Sequence, residues 1–166
     1  MIIKIFLTLI LAIFCEFVYA QNESVIFMDK QITFGMTLTE FLSNNVGYNL
    51  NTDDNKYDEI KVLRMNEEDD GAWFLVFVKF YKDELFELKI DELYSTESEK
   101  KDLKNLIKQF KIVKEENNKD GKKYNQYLEK ETIVGIYEVD DFGSIFTCSE
   151  IELLRKVQTR YPDYGK

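Results

Sequence analysis

The sequence predicts an α+β domain in which an antiparallel sheet packs with about three helices. Three observations carry this. Capping signatures of the form Thr/Ser-x-x-Glu begin at Thr37, Thr96 and Ser149, each before a helix-like stretch. The segments between them are strand-like and separated by short polar loops, and no helix is spaced as a βαβ crossover.

In chain order, the apolar run Val25 to Met28 with Ile32 reads as an opening strand or extended arm over 21–33. The first helix starts at Thr37, with Glu40 completing the capping box and Met36 placed to staple onto Phe41; Asn44, Asn45 and Gly47 keep it short. Polar residues fill 49–58. Three strands follow, at 60–65, 72–81 and 85–90, joined by 66–71 and 81–84 as hairpin loops, so they form an antiparallel meander.

The second helix is expected over 97–113, where Leu103, Leu106, Ile107, Phe110 and Val113 recur at helical spacing. Glu97 and Glu99 lie at its positive end and Lys108, Lys111 and Lys114 at its negative end, as the macrodipole favours. A polar loop over 117–126 precedes two more strands, 131–139 and 144–148. Ser149 and Glu152 then open a helix with Ile151, Leu154 and Val157, which Pro162 ends. A helix followed by a hairpin occurs twice, the pattern of a degenerate tandem repeat.

Residues 1–20 read as a secretory signal peptide: Lys4 precedes the apolar run Ile5 to Phe14, and Ala20 supplies a small residue before the polar stretch from Gln21. A membrane anchor needs roughly 20 apolar residues, and Glu16 interrupts the run. Lipidation at Cys15 would require a small residue where Phe14 stands. Residues 21–166 are then a single exported domain with no transmembrane helix, released to the periplasm or the exterior. It keeps the net charge of −9, which makes nucleic acid an unfavourable partner. With only Cys148 left, it has no internal disulfide.

The chain contains no histidine, which removes imidazole-based nucleophile pairs and imidazole metal sites. The acidic groups Asp53-Asp54, Glu67 to Asp70 and Asp140-Asp141 all fall in turn-like segments and read as solvated loop charge. Asn51, Asp53 and Asn55 alternate as calcium ligands do, yet Lys56 stands at the glycine position of an EF-hand loop and Val62 at its glutamate position. No metal or cofactor is therefore expected. Cys148 shares a strand face with Phe146 and reads as a small buried hydrophobe.

Two surfaces remain as candidates for binding. Residues 97–123 hold nine lysines against six acids, and Lys100, Lys104, Lys108 and Lys111 fall on one helical flank. The strand 73–81 is apolar on both faces, so either helices cover both or one face, with Trp73, Phe77 and Tyr81 in line, is open to a partner.

The stretch Gly35 to Phe41, together with Phe80 to Leu88, resembles a pattern in small exported bacterial domains. These include the small lipoprotein of the outer-membrane β-barrel assembly machine and the tandem-repeat β-lactamase-inhibitor protein. That group places a Gly-Met-Thr/Ser turn before a helix and a meander after it, and the resemblance implies action by protein contact rather than catalysis. The expected function is non-catalytic protein binding. A carrier of a small apolar ligand and a carboxylate-based hydrolase are the alternatives.

Overall fold

The computed structural model describes residues 23–45, 47, 49–50, 56–69, 72–94, 97–117, 123–140 and 143–166, without the side chains of 49–50, 65–69, 72–74, 93–94 and 97–100. The expected signal peptide and Thr96, the expected second cap, lie outside these residues. Among the described residues the chain forms ten strands and three helices. The antiparallel α+β class is as the sequence predicts, although the sheet outweighs the helices.

The opening arm is a hairpin, β1 (Ser24–Phe27) and β2 (Lys30–Thr33), paired antiparallel. Its two-residue turn places Met28 and Asp29 in the left-handed region, at φ 49 and 59. Such turns match the twist of hairpin strands but usually announce themselves with glycine, which is absent here. Helix α1 (Leu38–Asn44) starts at Thr37 with both halves of the capping box closed: Thr37 Oγ1 accepts from Glu40 N at 3.2 Å and Glu40 Oε2 accepts from Thr37 N at 2.8 Å.

The other strands are β3 (Asn49–Leu50), β4 (Ile60–Asp69), β5 (Ala72–Tyr81), β6 (Glu84–Tyr94), β7 (Lys111–Asn117), β8 (Tyr124–Lys130), β9 (Ile133–Asp140) and β10 (Gly143–Glu150). They make one eight-stranded sheet in the order β3-β4-β5-β6-β10-β9-β8-β7. Two meanders, β3 to β6 and β7 to β10, therefore meet where β6 pairs antiparallel with β10. The expected loop 66–71 is mostly strand, because β4 continues to Asp69 opposite Ala72. Glu67, Glu68 and Asp69 are ladder residues rather than turn residues, which β4 tolerates because only two residues of β3 lie beyond it.

Helix α2 (Glu97–Ile107) is shorter than its apolar repeat implies. The chain turns through Lys108, Gln109 and Phe110 and continues as β7, so Val113 is 45% exposed on a strand instead of buried on a helix. Lys111 and Lys114 are strand residues as well, which removes them from the helix's negative end and Lys111 from the lysine flank. Leu103, Leu106 and Phe110 are buried as expected. Helix α3 (Ile151–Arg160) is capped by Glu150, whose carboxylate accepts from Leu153 N at 2.7 Å, and not by Ser149. Strand β10 runs on through Ser149 and Glu150, opposite Val134 and Ile133, and so displaces the start of the helix. Tyr161, before Pro162, turns out of the helical region (φ −128, ψ 86) and stops α3.

One sheet face carries the main core. The cross-strand row Leu63, Val78, Leu88, Cys148, Gly135, Leu128 runs through β4, β5, β6, β10, β9 and β8. Helix α1 packs here through Phe41, edge-on to Phe80 at 5.6 Å, and the turn after α2 through Phe110, edge-on to Phe146 at 5.7 Å. A Cβ on Gly135 would lie 3.3 Å from Thr147 O and 3.4 Å from Cys148 Cβ, so glycine lets this row close. Among the described residues, the opposite face is covered at one end only, where Leu153 and Val157 of α3 and Tyr164 pack on Ile60, Val62, Tyr81 and Phe86.

Candidate functional site

The partly covered face contains three successive cross-strand rows. Next to α3 stand Val62, Lys79, Glu87, Ser149, Val134 and Glu129. The middle row is Arg64, Phe77, Lys89, Thr147, Ile136 and Tyr127, and the outer row is Leu75, Asp91, Ile145, Glu138 and Asn125. Alternation along each strand puts all three rows on the same side.

The first row contains a buried ionic knot. Glu87 is buried, yet its two oxygens are fully engaged: Oε1 lies 2.6 Å from Lys79 Nζ, while Oε2 accepts from Tyr164 OH at 2.9 Å and from Ser149 Oγ at 3.4 Å. Lys79 Nζ also donates to Tyr164 OH at 3.1 Å. Burial, followed by the Glu87 carboxylate, pushes the Tyr164 phenol far above its ordinary value. This explains how β5 accommodates Lys79 on an otherwise apolar face: the ammonium is neutralised within the sheet and roofed by the C-terminal turn.

In the middle row the covering gives out. Phe77 is half-buried with Arg64 and Lys89 over its ring at 5.9 and 5.6 Å, and Lys114 stands 5.2 Å from the Tyr127 ring. Ile136 on β9 is 39% exposed, and Val113, at the register shift between Ile112 and Lys114 of the edge strand β7, is 45% exposed across β8 from it. With Tyr127, Val134 and Leu154 of α3 they line a largely apolar cleft of about 420 Å³ whose inner end is the Glu87, Ser149 and Tyr164 cluster.

The sequence-predicted residues divide. Trp73 sits on β5 opposite Glu68 and Tyr94, and its side chain lies outside the described set. Tyr81 is only 6% exposed beneath α3 and Tyr164, so it is a core residue and does not belong to an open surface. Phe77 borders the uncovered region. Lys104 and Lys108 are exposed, but at the end of α2 on the other side of the sheet, so they do not join Phe77 in one surface. Ile136 and Tyr127 were not singled out by sequence reasoning, and Val113 was read as an apolar residue of the expected helix over 97–113. The signal for Ile136 was present: Ile133, Val134, Ile136 and Val139 are apolar on both faces of β9, as in β5.

Cys148 is 1% exposed, and burial pushes its thiol well above the ordinary value, as its place beside Phe146 predicted. No helix among the described residues is long and apolar enough to cross a membrane. No protein family, known protein or solved structure matches the chain.

Proposed function

We propose that the chain is an exported, non-catalytic protein that acts by binding another protein through the uncovered part of the α3-side sheet face. The observation that carries this reading is the exposure of Ile136 (39%) and Val113 (45%) in a patch bordered by Tyr127, with half-buried Phe77 farther along the same row beyond Lys89 and Thr147. Ile136 on the inner strand β9 and Val113 on the edge strand β7 leave apolar surface open on one face of the sheet, and such a patch with aromatic residues and charges around it matches the anatomy of interfaces. Arg64, Lys89 and Lys114 supply one sign at the rim, and Asp91 and Glu116 the other. Export rests on the leader pattern of residues 1–20. The degenerate tandem repeat draws support from the topology, since α1 precedes the β3 to β6 meander and α2 the β7 to β10 meander.

Affinity capture from the native envelope tests the reading. Wild type and Lys104→Ala should retain the same partner, and Ile136→Lys should lose it with its fold intact. Equal capture by Ile136→Lys would contradict the assignment.

The cleft favours a second reading, carriage of a small apolar ligand, because about 420 Å³ lies within the range of small-molecule sites. A fluorescent apolar probe such as N-phenylnaphthylamine should then bind saturably and be excluded by Leu154→Trp. The hydrolase alternative gains no comparable support. Asp91 and Glu92 are adjacent on β6, so they point to opposite faces and do not converge on one bond.

A further inference from the structure

Tyr164 is 8% exposed, although Pro162, Asp163, Gly165 and Lys166 around it are all exposed. Asp163 holds this turn at the surface, pairing with Lys56 at 2.7 Å while both side chains stay more than half exposed. Tyr164 therefore enters the sheet face from a turn that remains outside it. Its surroundings are those of a bound ligand. The ring lies 5.5 Å from Tyr57 and 5.8 Å from Phe86, and the hydroxyl donates to Glu87 Oε2 at 2.9 Å and accepts from Lys79 Nζ at 3.1 Å. Tyr57 precedes β4, Lys79 lies on β5, and Phe86 and Glu87 lie on β6, so the body of the domain supplies each of these contacts.

Open volume meets Tyr164 in two places. One is the apolar cleft of about 420 Å³, and the other is a cavity of about 240 Å³ that Tyr164 lines together with Tyr57, Phe77, Lys79 and Lys89. A ring that only filled the core would be packed closely all round. This one stands between two cavities, beside the Lys79–Glu87 pair.

We infer that Tyr164 is a displaceable plug, and that the slot it fills is a binding site for a phenolic ring. Displacement joins the two cavities, and the incoming phenol remakes the hydrogen bonds to Glu87 and Lys79 between the same aromatic side chains. The contacts broken and made are alike. What the ligand must overcome is the tether of Tyr164, which gives the plug an effective concentration on the order of millimolar. An apolar ring without a hydroxyl is rejected, because Glu87 Oε2 would be left with the 3.4 Å bond from Ser149. The plug goes beyond the sheet-face reading and does not depend on it, since Ile136 and Val113 make none of the slot's contacts.

The test follows isotope-labelled protein by NMR during titration with p-cresol, a free phenol, and with N-acetyltyrosine amide, which stands in for a tyrosine of another protein. Each should shift the amides of Lys79, Phe86 and Glu87 saturably, in the millimolar range, while the Tyr164 ring signals move to the positions of an exposed tyrosine. Tighter binding of p-cresol assigns the slot to a free small molecule, and equal or tighter binding of the amide to a protein side chain. Toluene should bind at least roughly tenfold more weakly than p-cresol. Tyr164→Phe keeps the ring but loses both hydrogen bonds of the plug, so p-cresol should bind this variant roughly tenfold more tightly than wild type. If that variant does not fold, Asp163→Lys, which breaks the exposed pair with Lys56, should tighten binding by about threefold. The inference is overturned if no saturable shift occurs, if the shifts appear while the Tyr164 ring stays in place, if toluene binds as well as p-cresol, or if the folded variants bind no more tightly than wild type. Ile136→Lys should bind p-cresol as wild type does whether or not it loses the captured partner, so failure of the sheet-face reading is scored apart from failure of the plug.

Discussion

Gln109 pairs with Ile26 as a neighbouring strand would: its Oε1 accepts from Ile26 N at 2.9 Å, and its Nε2 donates to Ile26 O at 2.6 Å. One side chain in the turn after α2 thus closes the outer edge of β1 and fixes the hairpin over the core. Edge strands with unpaired backbone groups are sites of wrong pairing, so the amide also protects that edge. Gln109→Ala should cost about 1 to 2 kcal/mol, the net worth of two hydrogen bonds, and speed hydrogen exchange at Ile26. Gln109→Glu keeps the acceptor but loses the donor, so it should not restore the stability. Urea melts and amide exchange measure both.

Helix α2 and the turn after it make a second pair of expectations. Phe110 packs on Phe146 in the main core, so Phe110→Ala should cost about 3 to 5 kcal/mol. Lys104 is exposed, and Lys104→Ala should fall within about 0.5 kcal/mol of wild type. Equal losses in urea melts would mean the faces are assigned wrongly.

Alkaline stability reports on the buried knot. Tyr164 ionises at its ordinary value of 10.0 in the unfolded chain but stays neutral to much higher pH when folded, because burial and the Glu87 carboxylate disfavour the phenolate. Above that ordinary value the unfolded state therefore binds fewer protons than the folded one, and stability falls as pH rises. The slope should approach about 1.4 kcal/mol per pH unit from this residue. Tyr164→Phe should flatten that part of the curve, while lowering stability at neutral pH by about 1 to 3 kcal/mol because Glu87 Oε2 loses its shorter donor. Cys148, whose ordinary value is 9.0 and which burial also raises, contributes with the same sign and should remain in the variant.

What could be read from the sequence was local. Thr37 and Glu40 lie three residues apart and satisfy each other, and Pro162 stops α3 through the residue before it; neither depends on the rest of the fold. Strand β7 was misread because its seven residues are all exposed at the sheet edge and show no alternation, while Lys108 and Lys111 continue the helical spacing past the point where the helix stops. Glu150 replaced Ser149 as the cap because pairing with Ile133, a contact set by another strand, lengthened β10. The site was the least legible part. Whether Tyr81 or Ile136 is covered depends on where α3 lies across the sheet, and no pattern within β5 or β9 encodes that.

Cys148 should be inert as long as the protein is folded. Its thiol is buried and its thiolate disfavoured, so a disulfide reagent such as dithionitrobenzoate should react only at the rate of global unfolding. A stoichiometric fast reaction in native buffer would show that the row from Leu63 to Leu128 opens locally.

That inertness allows a direct test of the sheet-face assignment. In a chain beginning at Gln21, which lacks Cys15, Ile136→Cys places one accessible thiol on the uncovered face, and Lys104→Cys places one on the opposite side of the sheet. Maleimide labelling of each variant is measured alone and with the captured partner bound. Binding through this face predicts that the partner blocks labelling at position 136 and leaves position 104 reactive; protection at 104 with free labelling at 136 would contradict it.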